Sequence, residues 1–299
     1  MKLSEIAPGL NLAVLRDAEF NNLGFLFDAL SAKLIFVEDA KFVSVARATQ
    51  GLQCVICLPE LAGSFAEVAG LATTAEPRTA FFQLQQLLVE TDFYWSPFPT
   101  EIHPTARIHP RAWIPEQNVR IGAGTTIEAN AVVGERSKIG AGVQIRAGVV
   151  IGSEAFQPAR YSDRIVHMAH AGGVVVQDHV QIFANAVIAR AVFRQMTTIG
   201  EYSQVGNGAF VSHNVQVGKR CFIGHNSTIN GNTFIGDDAW IGPNSTISNL
   251  LRIGRGAQVS LGAVVIRSIP PHTRVTGMTA MEHRRMLRHM AAVFPRHPD

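Results

Sequence analysis

The strongest pattern in the chain is a spacing of six residues between large aliphatic side chains from Ile199 to Val265. Every sixth position in this stretch is Ile or Val, which gives twelve positions in one register, and seven of the twelve are followed by Gly. Side chains on one face recur about every 3.6 residues in a helix and at every second residue in a strand, so neither element explains the spacing. A six-residue period with one aliphatic and one small residue indicates the hexapeptide coils of a parallel β-helix.

The repeat predicts a triangular prism in which three hexads make one coil. The aliphatic residue of each hexad points inward and stacks on its equivalent in the next coil, about 4.8 Å away. Gly, Asn and Asp gather at the corners because they tolerate positive φ. Since each coil contacts only its neighbours, the stack needs a cap at each end.

One long segment interrupts the repeat. Hexads run from Ile102 to Ile151 and resume at Val176. The excursion between them, residues 156–173, is out of register and carries a set of polar side chains: Arg160, Tyr161, Asp163, Arg164, His167 and His170. Because an excursion from a regular solenoid usually maps to a functional loop, we predict that the excursion contributes to a site.

The residues before the coils predict a small α/β domain. Its predicted elements are helices at Leu23–Leu30, Lys41–Thr49 and Glu76–Glu90 and strands at Ala32–Phe36 and Gln53–Pro59.

The residues after the coils predict a helix from Thr279 to Phe294, since Thr279 and Glu282 have the spacing of a capping box. This helix has an apolar stripe, which favours packing on the last coil as a cap. It also has a cluster of positive charge, which favours docking of an acidic partner or a phosphate. The stripe is Met286, Met290 and Val293, and the cluster is Arg284, Arg285, Arg288 and His289.

Composition and charge exclude several classes of protein. The 299 residues are 47% hydrophobic and 16% charged, with a net charge of +3. No run of Lys and Arg supports nucleic-acid binding, and no apolar run reaches membrane-spanning length. Three cysteines, Cys54, Cys57 and Cys221, leave an odd thiol and favour a reducing compartment, so we expect a cytoplasmic protein. Cys54 and Cys57 form a CxxC inside an apolar strand, which we interpret as structural.

The exterior of the coils gives the first candidate for chemistry. Read every 18 residues, the third position of each hexad places His213 beneath Gly231, which has no side chain, and then Asn249. A titratable group beside a gap is typical of a substrate groove, and His is the usual general base near neutral pH. His225 lies on a different edge, so it can approach His213 only across the interface of a trimer.

We expect no metal site in this chain. Some β-helix enzymes bind zinc through histidines. In the gamma-class carbonic anhydrases the ligands include a His-x4-His pair, and the coils of this chain contain no such pair.

Three stretches resemble a known family. Val211-Ser-His-Asn-Val-Gln-Val-Gly218 is similar to the Ile-Ala-His-Asn-Val-x-Ile-Gly segment of the UDP-3-O-(3-hydroxyacyl)glucosamine N-acyltransferases of lipid A biosynthesis, which are left-handed β-helix hexapeptide acyltransferases. The resemblance implies that His213 is the catalytic base. The position of the family's second functional His is Leu250, so any contact made by that His is missing here or supplied by another residue.

The other two stretches concern substrate binding. Leu34–Phe42 resembles the segment whose two aromatic residues hold uracil, which assigns Phe36 and Phe42 to the base. Gly152–Phe156 and His170–Val176 resemble the flanks of the family's sugar-nucleotide loop, with Ala169 or His170 in place of a Gln.

The resemblance implies a homotrimeric cytoplasmic enzyme with a left-handed parallel β-helix and no permanently bound cofactor. Its domains would be a nucleotide-binding α/β domain at 1–98, the acyltransferase β-helix at 99–270 and a helical cap at 271–299. The acceptor would be the amine of a UDP-linked amino sugar, and the donor a thioester of an acyl carrier protein or CoA. His170, His225, Gly231 and Asn249 are the further candidates for substrate contact.

Three alternatives stay open. Ser260–Pro271 resembles the closing coil of acetyl-CoA-dependent sugar acetyltransferases, so the enzyme could instead transfer a short acyl or formyl group in surface polysaccharide synthesis. The acceptor could be a hydroxyl rather than an amine. The absence of the second His also allows a non-catalytic member of the family.

Overall fold

The computed structural model of the chain describes residues 1–161, 164–277 and 280–293. In chain order these residues form a small α/β domain, a stack of β-helical coils and a final helix. The predicted residues Asp163, Thr279 and Phe294 lie outside the described part.

The α/β domain is a five-stranded sheet with helices packed against it. Its elements are α1 Leu3–Leu10, β1 Ala13–Arg16, β2 Asn22–Leu23, β3 Lys33–Val37, α2 Val43–Ala48, β4 Leu52–Cys57, β5 Gly70–Thr73 and α3 Pro77–Val89, with 3-10 helices at Ala40–Phe42 and Pro59–Phe65. The strand order is β1-β5-β4-β3-β2, in which only β1 runs antiparallel to its neighbour. The predicted strands match β3 and β4, and two of the predicted helices match α2 and α3.

The predicted helix at Leu23–Leu30 is wrong. The segment contains the end of β2 and an irregular turn, because side chains capture the backbone groups that a helix would need. The Asp28 carboxylate accepts a hydrogen bond from the Phe25 N–H (2.7 Å), and the buried Lys33 ammonium donates to the Asp28 and Phe25 carbonyls (2.5 and 3.3 Å). Such local side-chain bonds compete directly with helix formation.

The coils present three parallel sheets, one on each face of the prism. The first face consists of Glu101–Ile102, Val119–Ile121, Ser137–Ile139, Gly173–Val176, Met196–Ile199, Gln216–Val217, Phe234–Ile235 and Arg252–Ile253. The second consists of Arg107–Ile108, Thr126–Ile127, Gln144–Ile145, Gln181–Ile182, Gln204–Val205, Phe222–Ile223, Trp240–Ile241, Gln258–Val259 and Arg274–Val275. The third consists of Val132–Val133, Val150–Ser153, Val187–Ala189, Phe210–Val211, Thr228–Ile229, Thr246–Ile247 and Val264–Val265.

Strand pairing confirms the predicted coil. Val211 pairs with Ile229, and Ile229 pairs with Ile247, so equivalent residues are three hexads apart. From Ile121 to Val265 the aliphatic residue of each hexad is buried along the axis of the prism, whereas Ile102 at the open end of the stack is 44% exposed. A second buried row, which the period alone did not predict, lies four residues after most aliphatic positions of the run from Ile199 to Val265 and holds mostly small side chains: Ser203, Ala209, Val215, Cys221, Ser227, Thr233, Ala239, Ser245, Ala257 and Ala263.

The excursion folds back on the α/β domain. Pro158–Arg160 and Ile165–His167 form an antiparallel hairpin. Helix α3 holds the chain that follows, because Gln85 Nε2 donates to the carbonyls of Ala169 and Val192 (2.9 and 3.2 Å) and Gln86 Nε2 donates to the His167 carbonyl (2.7 Å).

The three cysteines are buried and unpaired. Cys54 and Cys57 lie on β4 but belong to different core clusters on its two faces, so they cannot share a ligand. Burial raises the pKa of the Cys54 thiol to about 12 and that of the Cys57 thiol to about 11. These positions agree with a structural role.

The final helix, α4 His283–Val293, buries none of its side chains. Met286 of the apolar stripe is half-buried and the other two residues are exposed, so the role of this helix as a cap stays a prediction. The Glu282 carboxylate accepts hydrogen bonds from the N–H groups of Arg284 and Arg285 (3.0 and 2.9 Å) and so caps the helix. Among the described residues, no helix is both long enough and apolar enough to span a membrane.

Candidate active site

His213 lies at a coil corner between the third face and the first face. Its ring occupies the space beside Gly231, where even a Cβ atom would overlap the imidazole. The predicted stacking of His213 against a residue without a side chain is therefore present. Asn214, the next residue, adopts a φ of 60° and fixes the corner: its Oδ1 accepts from the Val192 N–H (2.9 Å) and its Nδ2 donates to Gln195 Oε1 (2.6 Å).

The environment of His213 favours the neutral imidazole. The residue is 7% exposed, and its Nδ1 is buried without a hydrogen-bond partner among the described residues. Burial lowers the pKa of His213 to about 4, against a smaller opposing effect of Asn214. A neutral ring can accept a proton near neutral pH.

The excursion brings His170 against His213. The two rings meet edge to face, with centroids 5.7 Å apart, and the His167 ring stacks on the other side of His170 at 5.6 Å. His170 is fully buried, and its Nδ1 lies 2.8 Å from the Met168 carbonyl oxygen. Burial also lowers the pKa of His170 to about 4. Two residues that sequence reasoning proposed separately thus belong to one cluster.

Sequence reasoning missed the partners of this cluster. Glu154 follows a third-face strand, and its Oε2 lies 2.9 Å from His167 Nε2. Its Oε1 accepts hydrogen bonds from the His170 N–H (3.0 Å) and the Arg190 guanidinium (3.4 Å). Burial opposes ionisation of Glu154, but these bonds and the Arg190 charge hold its pKa below the ordinary value. The His-x2-His spacing of 167 and 170 was the available signal.

Asn249 and Leu250 occupy the next corner along the column. Asn249 is exposed, and its Oδ1 accepts a hydrogen bond from the Ser248 hydroxyl (3.2 Å). Leu250 adopts a φ of 61° and is 46% exposed, whereas the equivalent corner positions of the two preceding coils are Asn214 and Asn232. A bulky residue in the left-handed region is uncommon.

A cleft of about 630 Å³ runs along the first-face side of this column. Its walls include the corner residues Asn214, Asn232 and Leu250, and it reaches Phe27 and Asp28 of the α/β domain. Arg194 and Arg252 contribute positive charge to the lining. The cleft therefore connects the corner beside His213 to the α/β domain.

Phe36 and Phe42 do not form a ready sandwich for a base. The Phe36 ring packs on Phe81 with centroids 5.1 Å apart, and the Arg78 guanidinium lies 5.6 Å from its centroid. Phe42 is 43% exposed, with the Lys41 ammonium 4.9 Å from its ring. Among the described residues, no ring contact joins the two phenylalanines.

His225 lies at the corner between the second and third faces and is exposed. His225 and His213 therefore lie on different edges of the single chain. The sequence predicted this arrangement.

Comparison with known proteins places the chain among hexapeptide transferases. The family model described as bacterial transferase hexapeptide (six repeats) matches residues 118–153 and 196–231. The UDP-3-O-acylglucosamine N-acyltransferase of Leptothrix cholodnii is 34% identical over 314 aligned residues, which cover 92% of this chain and 89% of that protein. The chain belongs to the UDP-3-O-acylglucosamine N-acyltransferase family.

Other members of this N-acyltransferase family align over less of their length. The UDP-3-O-acylglucosamine N-acyltransferase of Caulobacter sp. is 36% identical over 57% of this chain and 45% of that protein. The Methylorubrum extorquens protein of the same name is 28% identical over 58% of this chain and 47% of that protein. The chain thus matches about half the length of these two relatives.

The solved UDP-N-acetylglucosamine acyltransferase of Francisella novicida is similar in fold to this N-acyltransferase family member. The TM-score is 0.50 at 20% identity, over 64% of this chain and 71% of that one. The predicted family and the left-handed β-helix fold are confirmed.

Proposed function

We propose that the chain transfers an acyl group from a thioester to the amine of a UDP-linked amino sugar, with His213 as the general base. The observation that carries the proposal is the position of the His213 ring, which is buried in the space that Gly231 leaves, and that burial lowers the pKa of the imidazole. This corner also carries the motif that resembles the catalytic segment of the family.

The proposed reaction is a direct transfer. The sugar amine attacks the thioester carbonyl carbon while His213 accepts a proton from the amine; Nε2 is the accepting atom, because Nδ1 is buried. The new C–N bond forms, the C–S bond breaks, and the imidazolium returns its proton to the thiolate. No enzyme nucleophile is required. Cys221 is not a candidate, since burial in the coil interior raises the pKa of its thiol to about 11.

The Gly231 N–H is our candidate donor to the oxyanion. At the equivalent position of another hexad, the Lys219 N–H donates to Oδ1 of Asp237, the residue stacked on it in the next coil (2.9 Å). Asn249 is stacked on Gly231, but its Oδ1 accepts from Ser248. Among the described residues, the Gly231 N–H thus has no acceptor and is available to a developing oxyanion.

The cleft beside the column is our candidate path for the donor. It passes Leu250, whose exposed apolar side chain suits the arm or chain of a thioester, and the cations of Arg194 and Arg252 suit its phosphate. The exposed arginines of α4 are compatible with docking of an acidic acyl carrier protein. Assays with acyl carrier protein and CoA thioesters of several lengths decide between these donors and the short-chain alternative.

Phe36 is our candidate contact for the uracil ring. A cleft of about 550 Å³ lined by Glu38, Arg78 and Tyr161 lies beside the strand that carries Phe36. We expect UDP-linked amino sugars to raise the Tm and Phe36→Ala to reduce that ligand-induced shift. The shift, not the starting Tm, is the readout, since Phe36 also packs on Phe81. An undiminished shift in Phe36→Ala would assign Phe36 to packing alone, and Phe42→Ala tests the second ring separately.

A homotrimer is part of the proposal. Large apolar side chains are exposed on the outer faces of the coils, including Phe222 and Trp240, whose ring centroids are 5.5 Å apart, and the 72% exposed Val264. Contact with neighbouring copies would cover them and would let His225 of one copy approach the site of another. Sedimentation at several concentrations tests this, and a stable monomer would contradict it.

The central experiment measures turnover in His213→Ala. We expect a loss of about 10²- to 10⁴-fold with an unchanged circular dichroism spectrum. Gly231→Ala should also reduce turnover, because its Cβ displaces the His213 ring. It should add little loss in the His213→Ala background, where the ring is absent. His109→Ala is the control and should leave turnover unchanged, because His109 is an exposed residue at a corner of the first coils. Near-normal turnover in His213→Ala would overturn the mechanism.

A further inference from the structure

Glu154, His167 and His170 form a compact group of potential metal ligands. One ligand atom from each lies within 4.8 Å of the other two. The group is assembled by two different parts of the chain, since Glu154 follows the third-face strand Val150–Ser153 and both histidines belong to the excursion. Glu154 and His167 are exposed, whereas His170 is fully buried beneath them.

His170 is prepared as a ligand by its own hydrogen bond. A carbonyl oxygen can only accept, so the Nδ1 that lies 2.8 Å from the Met168 carbonyl carries the ring proton. Nε2 therefore holds a lone pair. This atom is buried and has no hydrogen-bond partner among the described residues. A buried polar atom without a partner requires an explanation. A histidine that donates one N–H to a backbone carbonyl and offers its other nitrogen is the usual arrangement at metal sites.

The Glu154 carboxylate is held in position by groups outside the site. Its Oε1 accepts from the His170 N–H and from Arg190, which leaves Oε2 beside His167 Nε2 at 2.9 Å. The backbone of the histidine segment is fixed in turn by α3, because Gln86 donates to the His167 carbonyl and Gln85 to the Ala169 carbonyl. Glu154 and His167 thus already contact each other, and hydrogen bonds to neighbouring groups hold Glu154 and the backbone of both histidines.

We propose that Glu154, His167 and His170 bind one transition-metal ion of the zinc class, with a further position open to solvent. Two imidazoles and one carboxylate suit zinc, nickel or copper, whereas magnesium and calcium require oxygen ligands. The Arg190 guanidinium lies 3.4 Å from Glu154 Oε1, and its positive charge repels any bound cation. This disfavours magnesium and calcium, which would be held here mainly by electrostatic attraction to the carboxylate. Ligand bonds of about 2.0–2.2 Å require the His170 ring to move towards Glu154.

Metal binding replaces a hydrogen bond of the metal-free site, and the proton of that bond must go elsewhere. The ion replaces the hydrogen bond between His167 and Glu154. The proton shared by that bond moves to His167 Nδ1 or is released to solvent, because the ligand nitrogen must be unprotonated. The site adjoins His213 through the His170 ring but includes neither His213 nor Gly231, so the proposal does not rest on acyl transfer.

The test is equilibrium binding of Zn²⁺ to the metal-free full-length chain, measured by competition with a chromophoric chelator. We expect saturation at one ion per chain, with Mg²⁺ and Ca²⁺ unable to compete. His167→Gln and Glu154→Gln should each weaken Zn²⁺ binding at least tenfold. Both positions are exposed, so these variants should fold even if the buried His170→Gln does not. His109→Gln removes an exposed histidine outside the group and should leave the affinity unchanged.

Co²⁺ supplies a second readout that a merely structural role would not change. In the wild-type chain we expect visible absorption bands characteristic of four or five ligands, and these bands should be lost in His167→Gln. Absence of saturable binding, or equal affinity in the wild type and both exposed variants, would overturn the proposal. In that case a buried water molecule is the partner that remains for His170 Nε2.

Discussion

The coils of residues 199–265 and the excursion of residues 156–173 follow opposite rules. In the coils every sixth residue is aliphatic, equivalent residues pair across the coils, and the interior is closed. The excursion has no repeat, forms a small hairpin, and is held against the α/β domain by single side-chain hydrogen bonds from Gln85 and Gln86. The coils thus supply a rigid corner for His213, and the excursion supplies the groups that approach it. The candidate site lies where the two regions touch.

The largest expected effect tests the regular region. Ile229 is fully buried and paired with the coils on both sides, so Ile229→Ala should lower the free energy of unfolding by about 2–5 kcal/mol. Gln258→Ala, an exposed position on a second-face strand, should change it by less than about 0.5 kcal/mol. Urea unfolding measures both. Equal costs at the two positions would mean that the coil interior does not dominate stability.

The coils could be predicted because one physical constraint repeats. Each inward position must fit the same space, so a single aliphatic residue recurs and its period is visible in the sequence. The second buried row escaped notice because Ala209, Ser227 and Thr233 share only small size, a weaker signal than Ile or Val. The stacking of His213 on Gly231 followed from the same period.

The excursion could not be predicted at the same level because its contacts are unique. The meeting of His170 with His213 depends on how α3 positions the excursion, through Gln85 and Gln86, and no spacing in the sequence encodes that contact. For the same reason Glu154 was missed. The wrong helix at Leu23–Leu30 has a different cause, since the Lys33 side chain, only a few residues further along, captures two of its carbonyls.

A second prediction tests the support of the excursion. Gln85 is fully buried and donates to two carbonyls, while its Oε1 accepts from the Tyr94 hydroxyl (2.5 Å). Gln85→Ala leaves these buried groups unpaired, so it should lower the free energy of unfolding by about 1–3 kcal/mol. Hydrogen exchange should accelerate in residues 164–173 and stay unchanged in the coils.

Gln86→Ala is the matched control for this prediction. It removes a single exposed hydrogen bond to the same segment, so its cost should be well below that of Gln85→Ala. Faster exchange throughout the coils in Gln85→Ala would mean that the two regions unfold together and that the contrast between them has no energetic basis.

The smallest expected effect concerns the one corner of the site column that breaks the corner pattern. Leu250 adopts a φ of 61°, a conformation that costs an ordinary residue about 1–2 kcal/mol and that Asn tolerates better. Leu250→Asn should therefore raise the free energy of unfolding by about 1 kcal/mol, and Asn232→Leu, the reverse change one coil earlier, should lower it by a similar amount. A loss of stability in Leu250→Asn would show that the leucine packs more than its exposure indicates. If stability rises while turnover with long-chain thioesters falls, then Leu250 contacts the thioester in the cleft. The strained backbone of Leu250 would in that case lower stability in exchange for binding.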